Sequence, residues 1–119
     1  MKKIYLLSLC FIYAIILFSA CSDNSANGIL GIEVPIGKGK ISEETPYMIT
    51  GVYEGSPAHI SGIKPGDRII QINNVPIRNG MKFDEVFNTY LAGKAGTKVT
   101  IHVKRGTEDL IFDIIRAKR

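Results

Sequence analysis

Two histidines, two cysteines and a few serines are the residues best suited to chemistry in this 119-residue sequence. His59 and His102 lie far apart, and neither has a second metal ligand suitably placed a few residues away. Ser56 precedes Pro57, as a helix-capping serine would, and no base adjoins it in the sequence. We therefore predict no catalytic residue, no metal site and no cofactor.

Cys21 is the remaining reactive residue, and it follows a segment with the three-part layout of a secretory signal. A basic start precedes an apolar run over residues 4–18, and two small residues, Ser19 and Ala20, close the segment. A retained transmembrane helix is the alternative, but it needs about 20 apolar residues. The pattern therefore predicts that residues 1–20 are a signal peptide.

The sequence LFSAC around Cys21 resembles the lipobox of bacterial lipoproteins, although Phe18 stands where Leu, Val or Ile is usual. The resemblance implies cleavage before Cys21, whose thiol and new amino group then carry acyl chains that anchor the protein in a lipid bilayer. Ordinary cleavage beside an unrelated cysteine remains the alternative. Since Cys10 lies in the removed segment, lipidation would leave no free thiol. The expected location is the bacterial cell envelope, facing the periplasm or the outer face, with the choice of membrane left open.

The chain divides into the signal peptide, the lipidated cysteine with a short linker at residues 21–27, one domain at residues 28–117, and a basic tail at residues 118–119. The net charge is +4, and it falls to +2 without the two lysines of the signal. Such a mild charge without a clustered basic face gives no indication of nucleic-acid binding. Four residues form a basic end that we expect to be solvated, where it could contact anionic headgroups: Arg105, Arg116, Lys118 and Arg119.

The domain sequence indicates short strands joined by turns rich in glycine and proline. We predict a short strand led in by a loop within residues 28–37, and strands at residues 47–54, 68–73, 75–77, 99–104 and 110–115. We also predict a short helix within residues 55–62 and a longer helix at residues 82–93. This order predicts an α+β fold, a small mixed barrel-like sheet of five to six strands capped by one short and one longer helix.

The longer predicted helix has apolar residues at helical spacing, which form one stripe on its surface. Its first turn carries Asp84 and Glu85, which the helix dipole favours, and Gly93 can end it. The stripe consists of Phe83, Val86, Phe87, Tyr90 and Leu91.

Three segments in order, GILGIEV, GSPAHISGIKPGDRIIQINNVPI and FDEVFNTYLAGKAGTKVTIHVKR, resemble a PDZ domain, and with the closing strand the resemblance covers residues 28–117. The ending GTKV…VKRG is similar to the version in bacterial carboxyl-terminal processing proteases and periplasmic serine proteases. That version has a permuted strand order, in which the last strand takes the place of the first strand of animal forms.

The resemblance implies a groove that binds the C-terminus of a partner by strand addition. The backbone N–H groups of Leu30, Gly31 and Ile32 would bind the terminal carboxylate, and the partner would pair along Ile32, Glu33 and Val34. Pro35 has no donor, so we expect the pairing with the strand at residues 47–54 to be lost near it.

The same resemblance assigns Phe83, Phe87, Tyr90 and Leu91 to the opposite wall of the groove. Phe83 and Phe87 could instead fill the core, and Val86 is assigned to the core. Phe83 stands where many animal domains carry a histidine that accepts a ligand hydroxyl. We therefore predict a preference for apolar C-termini, with little demand for Ser or Thr upstream.

We expect a membrane-anchored module that captures C-terminal or extended segments of envelope proteins, as an adaptor for another factor such as a separate envelope protease. A structural module of an envelope or secretion assembly is the alternative. A proteolytic enzyme is a remote one, because the related proteases carry their Ser/Lys pair on a separate domain that we do not find in these residues.

Overall fold

The structure is a computed structural model, and it describes residues 27–118. The predicted signal peptide, Cys21, the linker up to residue 26 and Arg119 lie outside the described residues. In chain order the elements are β1 (Ile32–Glu33), β2 (Gly51–Val52), α1 (Pro57–Ser61), β3 (Arg68–Ile72), β4 (Val75–Pro76), α2 (Phe83–Val86), a π-helical segment (Phe87–Leu91), β5 (Lys98–Arg105) and β6 (Glu108–Ile115).

The six strands form two antiparallel sheets, one of β1 and β2 and one in the order β4-β3-β5-β6. The predicted α+β fold with six strands and two helical elements is therefore confirmed. The short strand predicted within residues 28–37 is β1. The strand predicted at residues 47–54 is shorter than expected, because only Gly51 and Val52 pair regularly.

The core lies between the four-stranded sheet and the helices. Val99, Ile101 and Val103 alternate along β5 and are fully buried, which agrees with the pattern of the sequence. Val86 packs from α2 into the same core, as predicted.

Local sequence signals explain the ends of α1 and the turn after β3. The Ser56 hydroxyl accepts a hydrogen bond from the His59 N–H at 3.3 Å, and Gly62 ends the helix with a φ of 102°. Asn73 and Asn74 both take positive φ values, 48° and 68°, and turn the chain from β3 into β4. These predicted features are confirmed.

The long helix predicted at residues 82–93 is not a continuous α-helix. A single α-helical turn, α2, is followed by the π-helical segment, in which the Ala92 N–H donates to the Phe87 carbonyl at 2.8 Å. This bond spans five residues instead of four and changes which side chains share a face. Phe87 therefore leaves the stripe predicted from regular helical spacing and is exposed, while Leu91 is buried in the core with Val86 and Tyr90 packs against that core.

The predicted solvated basic end is wrong for two of its residues. Arg105 makes two hydrogen bonds of 2.8 Å to the carboxylate of Asp67, which is 0% exposed. Arg116 is buried and forms no ion pair within residues 27–118. Lys118 is exposed, as expected for the tail.

Neither a metal centre nor a membrane span is found in the described part of the chain. No group of three or more His, Cys, Asp or Glu side chains there could hold a metal ion. No helix within residues 27–118 has the length and apolar character needed to cross a bilayer.

Candidate functional site

One edge of β1 carries backbone groups that the fold leaves without a partner. On its other edge β1 pairs with β2, where the Gly31 and Glu33 carbonyls accept hydrogen bonds of 2.8 Å from Tyr53 and Thr50. Since successive residues of a strand direct their backbone groups to opposite sides, Ile32 and Val34 face away from β2. No other strand of the described chain pairs with β1. The free edge can therefore accept an added strand.

The pairing of β1 with β2 ends at Glu33, two residues before Pro35. This confirms the loss of pairing expected beside the proline. The missing donor thus affects the edge that faces β2, and the edge formed by Ile32 and Val34 keeps its N–H groups.

The turn that leads into β1 concentrates N–H donors at one end of this edge. The Leu30 carbonyl accepts from Ala58 at 3.0 Å, while the N–H groups of Leu30 and Gly31 find no protein acceptor within residues 27–118. Gly31 has a φ of +87°, a conformation that suits glycine. Consecutive N–H groups around such a residue form a concavity that can bind an anion.

Close packing beneath this turn restricts residue 31 further. A Cβ atom added at Gly31 would overlap the Cβ and Oγ atoms of Ser56, the residue that caps α1. We call the turn with the N–H groups of Leu30, Gly31 and Ile32 the donor loop. The first turn of α1 packs against this loop, and only glycine fits at residue 31.

Across from the free edge, Phe87 presents its side chain to solvent and is 40% exposed. It begins the π-helical segment, and together with Ile32 and Val34 it lines an open groove of about 350 Å³. The remaining lining residues are Glu33, Ile36, Thr50 and Tyr53.

The structure brings four predicted site residues together at this groove: Ile32, Glu33, Val34 and Phe87. Three lining residues were not predicted, namely Ile36, Thr50 and Tyr53. The alternation of Ile32, Val34 and Ile36 in the sequence is a period of two that could have indicated Ile36.

We call α2 and the π-helical segment, which face the free edge of β1, the helical wall. The other three residues assigned to this wall do not line the groove. Leu91 is 1% exposed and belongs to the core, and Tyr90 is half-buried against it. Phe83 is buried and stacks on Tyr47 with ring centroids 6.3 Å apart, which answers the open question about its place in favour of the core. The π-helical turn explains the positions of Tyr90 and Leu91, because it rotates the residues after Val86 away from regular helical positions. Phe83 lies before this turn, and its contact with Tyr47 holds it in the core.

Tyr47, which stacks on Phe83, belongs to the core, and its hydroxyl stays protonated. Burial raises the pKa of its hydroxyl well above the ordinary range, and the negative charge of Asp84 raises it further. Its hydroxyl has no hydrogen-bond partner within the described residues.

A buried arginine fixes the far end of the helical wall. The Arg116 guanidinium donates to the Leu91 carbonyl at 2.8 and 3.0 Å, to the Tyr90 carbonyl at 3.4 Å and to the Thr97 hydroxyl at 2.9 Å. Burial lowers the pKa of this guanidinium, but arginine stays charged in proteins. These bonds satisfy the last carbonyls of the π-helical segment. The guanidinium packs against Gly93, where an added Cβ atom would displace it.

Comparisons with known proteins agree with this geometry. The family described as "PDZ domain" matches residues 48–105. A probable CtpA-like serine protease from Staphylococcus aureus is 37% identical over 91 residues, which is 76% of this chain and 18% of that protein. The chain therefore spans less than a fifth of the length of the curated relative.

Two solved structures share the fold. The PDZ domain of a carboxy-terminal protease from Vibrio cholerae, solved in complex with peptide, is 23% identical with a TM-score of 0.58, covering 77% of this chain and 94% of that one. The HtrA3 PDZ domain bound to a phage-derived ligand is 21% identical with a TM-score of 0.55, covering 75% of this chain and 84% of that one.

Proposed function

Because the described part of this chain is a PDZ domain, with homology to the PDZ domains of CtpA-like and HtrA proteases, we propose that it binds the C-terminal segment of a partner protein as a strand added to β1. The observation that supports this most directly is the free edge of β1, which faces Phe87 across the groove. The backbone groups of Ile32 and Val34 would form the new ladder.

The donor loop would bind the terminal carboxylate of the partner. The N–H groups of Leu30, Gly31 and Ile32 lie at the start of β1, so a peptide antiparallel to β1 ends beside them. Hydrogen bonds from N–H groups to a carboxylate are stronger than those between neutral groups. The loop therefore distinguishes a free C-terminus from an internal segment.

The groove favours an apolar side chain on the partner. Ile32, Val34 and Phe87 contribute apolar surface to its lining, and Phe83, which is buried, offers neither a polar group nor free surface to the ligand. On the side of the helix, neither Phe83 nor Phe87 can pair with a ligand hydroxyl, which supports a preference for apolar C-termini without a demand for Ser or Thr upstream. The polar groups of the lining belong to Glu33, Thr50 and Tyr53.

Amidating the C-terminus of a test peptide is expected to weaken its binding by at least about tenfold, because charge-assisted bonds to the donor loop are lost. Titration of the protein with free and amidated forms of one peptide that ends in an apolar residue measures the difference. Acetylating the N-terminus of the same peptide is the control, since it removes a charge at the other end and should leave the affinity unchanged.

Equal affinity of the free and amidated peptides would contradict binding of a free C-terminus. That outcome would favour the second candidate function, a structural module whose β1 edge joins one fixed partner in an envelope assembly.

We also propose that Cys21 carries the lipid anchor and that the domain acts in the cell envelope as an adaptor for another factor, such as a separate protease. The LFSAC sequence after an apolar run supports the anchor. The likeness to PDZ domains of proteases supports the partnership. We propose no catalytic role for this chain, and turnover of an unfolded substrate by the purified protein would contradict that.

Replacing Cys21 with serine is expected to abolish incorporation of a labelled fatty acid and to release the protein from the membrane fraction, because the thiol that accepts the lipid is gone. Metabolic labelling followed by fractionation measures both effects. Cys10→Ser is the matched control and should keep the label, since Cys10 lies in the predicted signal peptide. Label retained in Cys21→Ser would exclude this cysteine as the anchor.

A further inference from the structure

The segment after β1, residues 36–40, lies directly against the first turn of α2, and we call it the strap. The Gly37 N–H donates to the Asp84 carboxylate at 2.8 Å, and the Asp84 N–H donates back to the Gly37 carbonyl at 3.1 Å. The Phe83 N–H donates to the Gly39 carbonyl at 3.0 Å. At this end of the groove, the continuation of β1 and the helical wall are therefore in direct contact.

The other end of the groove, beside the donor loop, is closed by contacts between residues 27–28 and residues 93–94. The Gly28 N–H donates to the Gly93 carbonyl at 2.7 Å, and Asn27 forms a bridge with Lys94. The chain that leads into β1 is thus joined to the segment that follows the helical wall. Between these two junctions lies the free edge formed by Ile32 and Val34.

An added strand needs space that neither junction provides. Neighbouring strands lie about 4.8 Å apart, and the far side of an added strand needs further room for its side chains. The strap and α2 are joined by direct hydrogen bonds, so no chain can pass between them. A bound peptide must therefore stop or turn outward before it reaches Gly37.

The number of paired residues follows from the positions of the outward backbone groups. A peptide antiparallel to β1 pairs one residue with Ile32 and the residue two positions upstream with Val34. The next outward position is Ile36, which already belongs to the strap. The usable edge corresponds to about three peptide residues.

We propose that this groove is a slot closed at both ends, which accepts only about the last three residues of a free C-terminus. The proposal rests on the proposed function and narrows its ligand class, because an extended internal segment would have to leave through both closed ends. The groove volume of about 350 Å³ lies at the lower end of the usual range for ligand sites.

The upstream part of the partner would leave the slot toward solvent, past the outer face of the strap. Ile36 is 82% exposed there, and the exposed Tyr53 side chain lines the same side of the groove. The path past the strap is exposed to solvent, so a folded partner can insert a short C-terminal tail and keep the rest of its fold.

A length series of peptides tests the slot. Peptides of three, five and eight residues share one free C-terminus with an apolar last residue, and each is titrated against the protein while its backbone amide NMR signals are followed. We expect the affinity to change by less than about twofold across the series, because the added residues find no edge to pair with. The signals of Gly37 and Asp84 should keep their positions at every length.

Two substitutions together open the strap, and a third serves as a control. Asp84→Ala removes the acceptor of the Gly37 N–H, and Gly37→Pro removes that donor and cannot keep its φ of 105°. Asp84→Ala keeps the backbone bonds from Asp84 and Phe83 to the strap, so we combine it with Gly37→Pro. In the double variant the eight-residue peptide should bind at least about fivefold more tightly, with the three-residue peptide unchanged. Asp84→Asn keeps an acceptor oxygen and should behave like the original protein.

A rise of about fivefold or more in affinity from three to eight residues in the unaltered protein would overturn the slot while leaving C-terminal binding intact. Binding by none of the three peptides would overturn the proposed function itself, and the slot with it. The two failures therefore give different results in one experiment.

Discussion

Replacing Gly31 with alanine is expected to lower peptide affinity by at least about tenfold and to reduce the free energy of unfolding by about 2 kcal/mol. The φ of +87° is unfavourable for any residue with a Cβ atom, and the added atom would overlap Ser56. The donor loop must move to relieve the overlap, which displaces the N–H groups that would bind the carboxylate. Peptide titration and denaturant unfolding measure the two effects.

A matched control separates the conformational cost at residue 31 from the steric overlap. Gly55 also has a positive φ, 77°, but an added Cβ atom there meets nothing within 4 Å. Gly55→Ala should therefore show only the conformational cost, about 1 kcal/mol, without loss of binding. Adding Ser56→Gly to Gly31→Ala should restore part of the affinity, because glycine removes the overlapping atoms and still caps a helix. Unchanged binding by Gly31→Ala alone would place the carboxylate elsewhere.

The second large effect is expected from Asp67→Asn, which should lower the free energy of unfolding by about 3 kcal/mol at neutral pH. The Asp67 carboxylate is buried, accepts from Arg105 in a two-point contact and accepts from the Lys64 N–H at 3.0 Å. An amide keeps the shape but loses the charge, and its NH₂ group faces the donors of Arg105. Asp113→Asn is the control, since Asp113 is exposed and should change stability by less than about 0.5 kcal/mol.

The effect of Asp67→Asn should depend on pH in one direction. Burial alone would raise the pKa of the Asp67 carboxyl, but the hydrogen bonds from Arg105 and Lys64 and their charges outweigh it and hold the pKa below its ordinary value of 3.8. A lowered pKa stabilises the fold above the unfolded-state pKa, and this stabilisation is lost as the pH falls through the folded-state value. The difference in the free energy of unfolding between the original protein and Asp67→Asn should be largest at pH 7 and should decrease below about pH 4. If this difference stays constant down to strongly acidic pH, the charge of Asp67 is not the cause of the lost stability.

The parts of the fold that were predicted from the sequence are those set by neighbours along the chain. The caps of α1, the Asn73–Asn74 turn and the alternation in β5 each depend on residues within a few positions of one another. The donor loop was assigned from the resemblance of GILGIEV to the loop of PDZ domains, and its role in binding a carboxylate stays a prediction.

The features that escaped prediction depend on residues distant in sequence. Leu91 takes its place in the core because the π-helical segment ends on Arg116, 25 residues away, which nothing in the local pattern indicates. An isolated arginine near a chain end is usually solvated, so its burial could not be inferred from composition. The strap likewise joins Gly37 to Asp84 across 47 residues.

The junction between Gly28 and Gly93 also determines which way a captured protein would point. It places the start of the domain next to the donor loop, since Leu30 follows Gly28 within about 7 Å of chain. If Cys21 carries the proposed lipid anchor, the tether before Gly28 is short. The terminal carboxylate of a bound partner would then face the lipid, and the rest of the partner would lie farther from it. Such an orientation suits partners whose C-terminal segment points toward the membrane, and it disfavours partners whose last residues emerge directly from the bilayer.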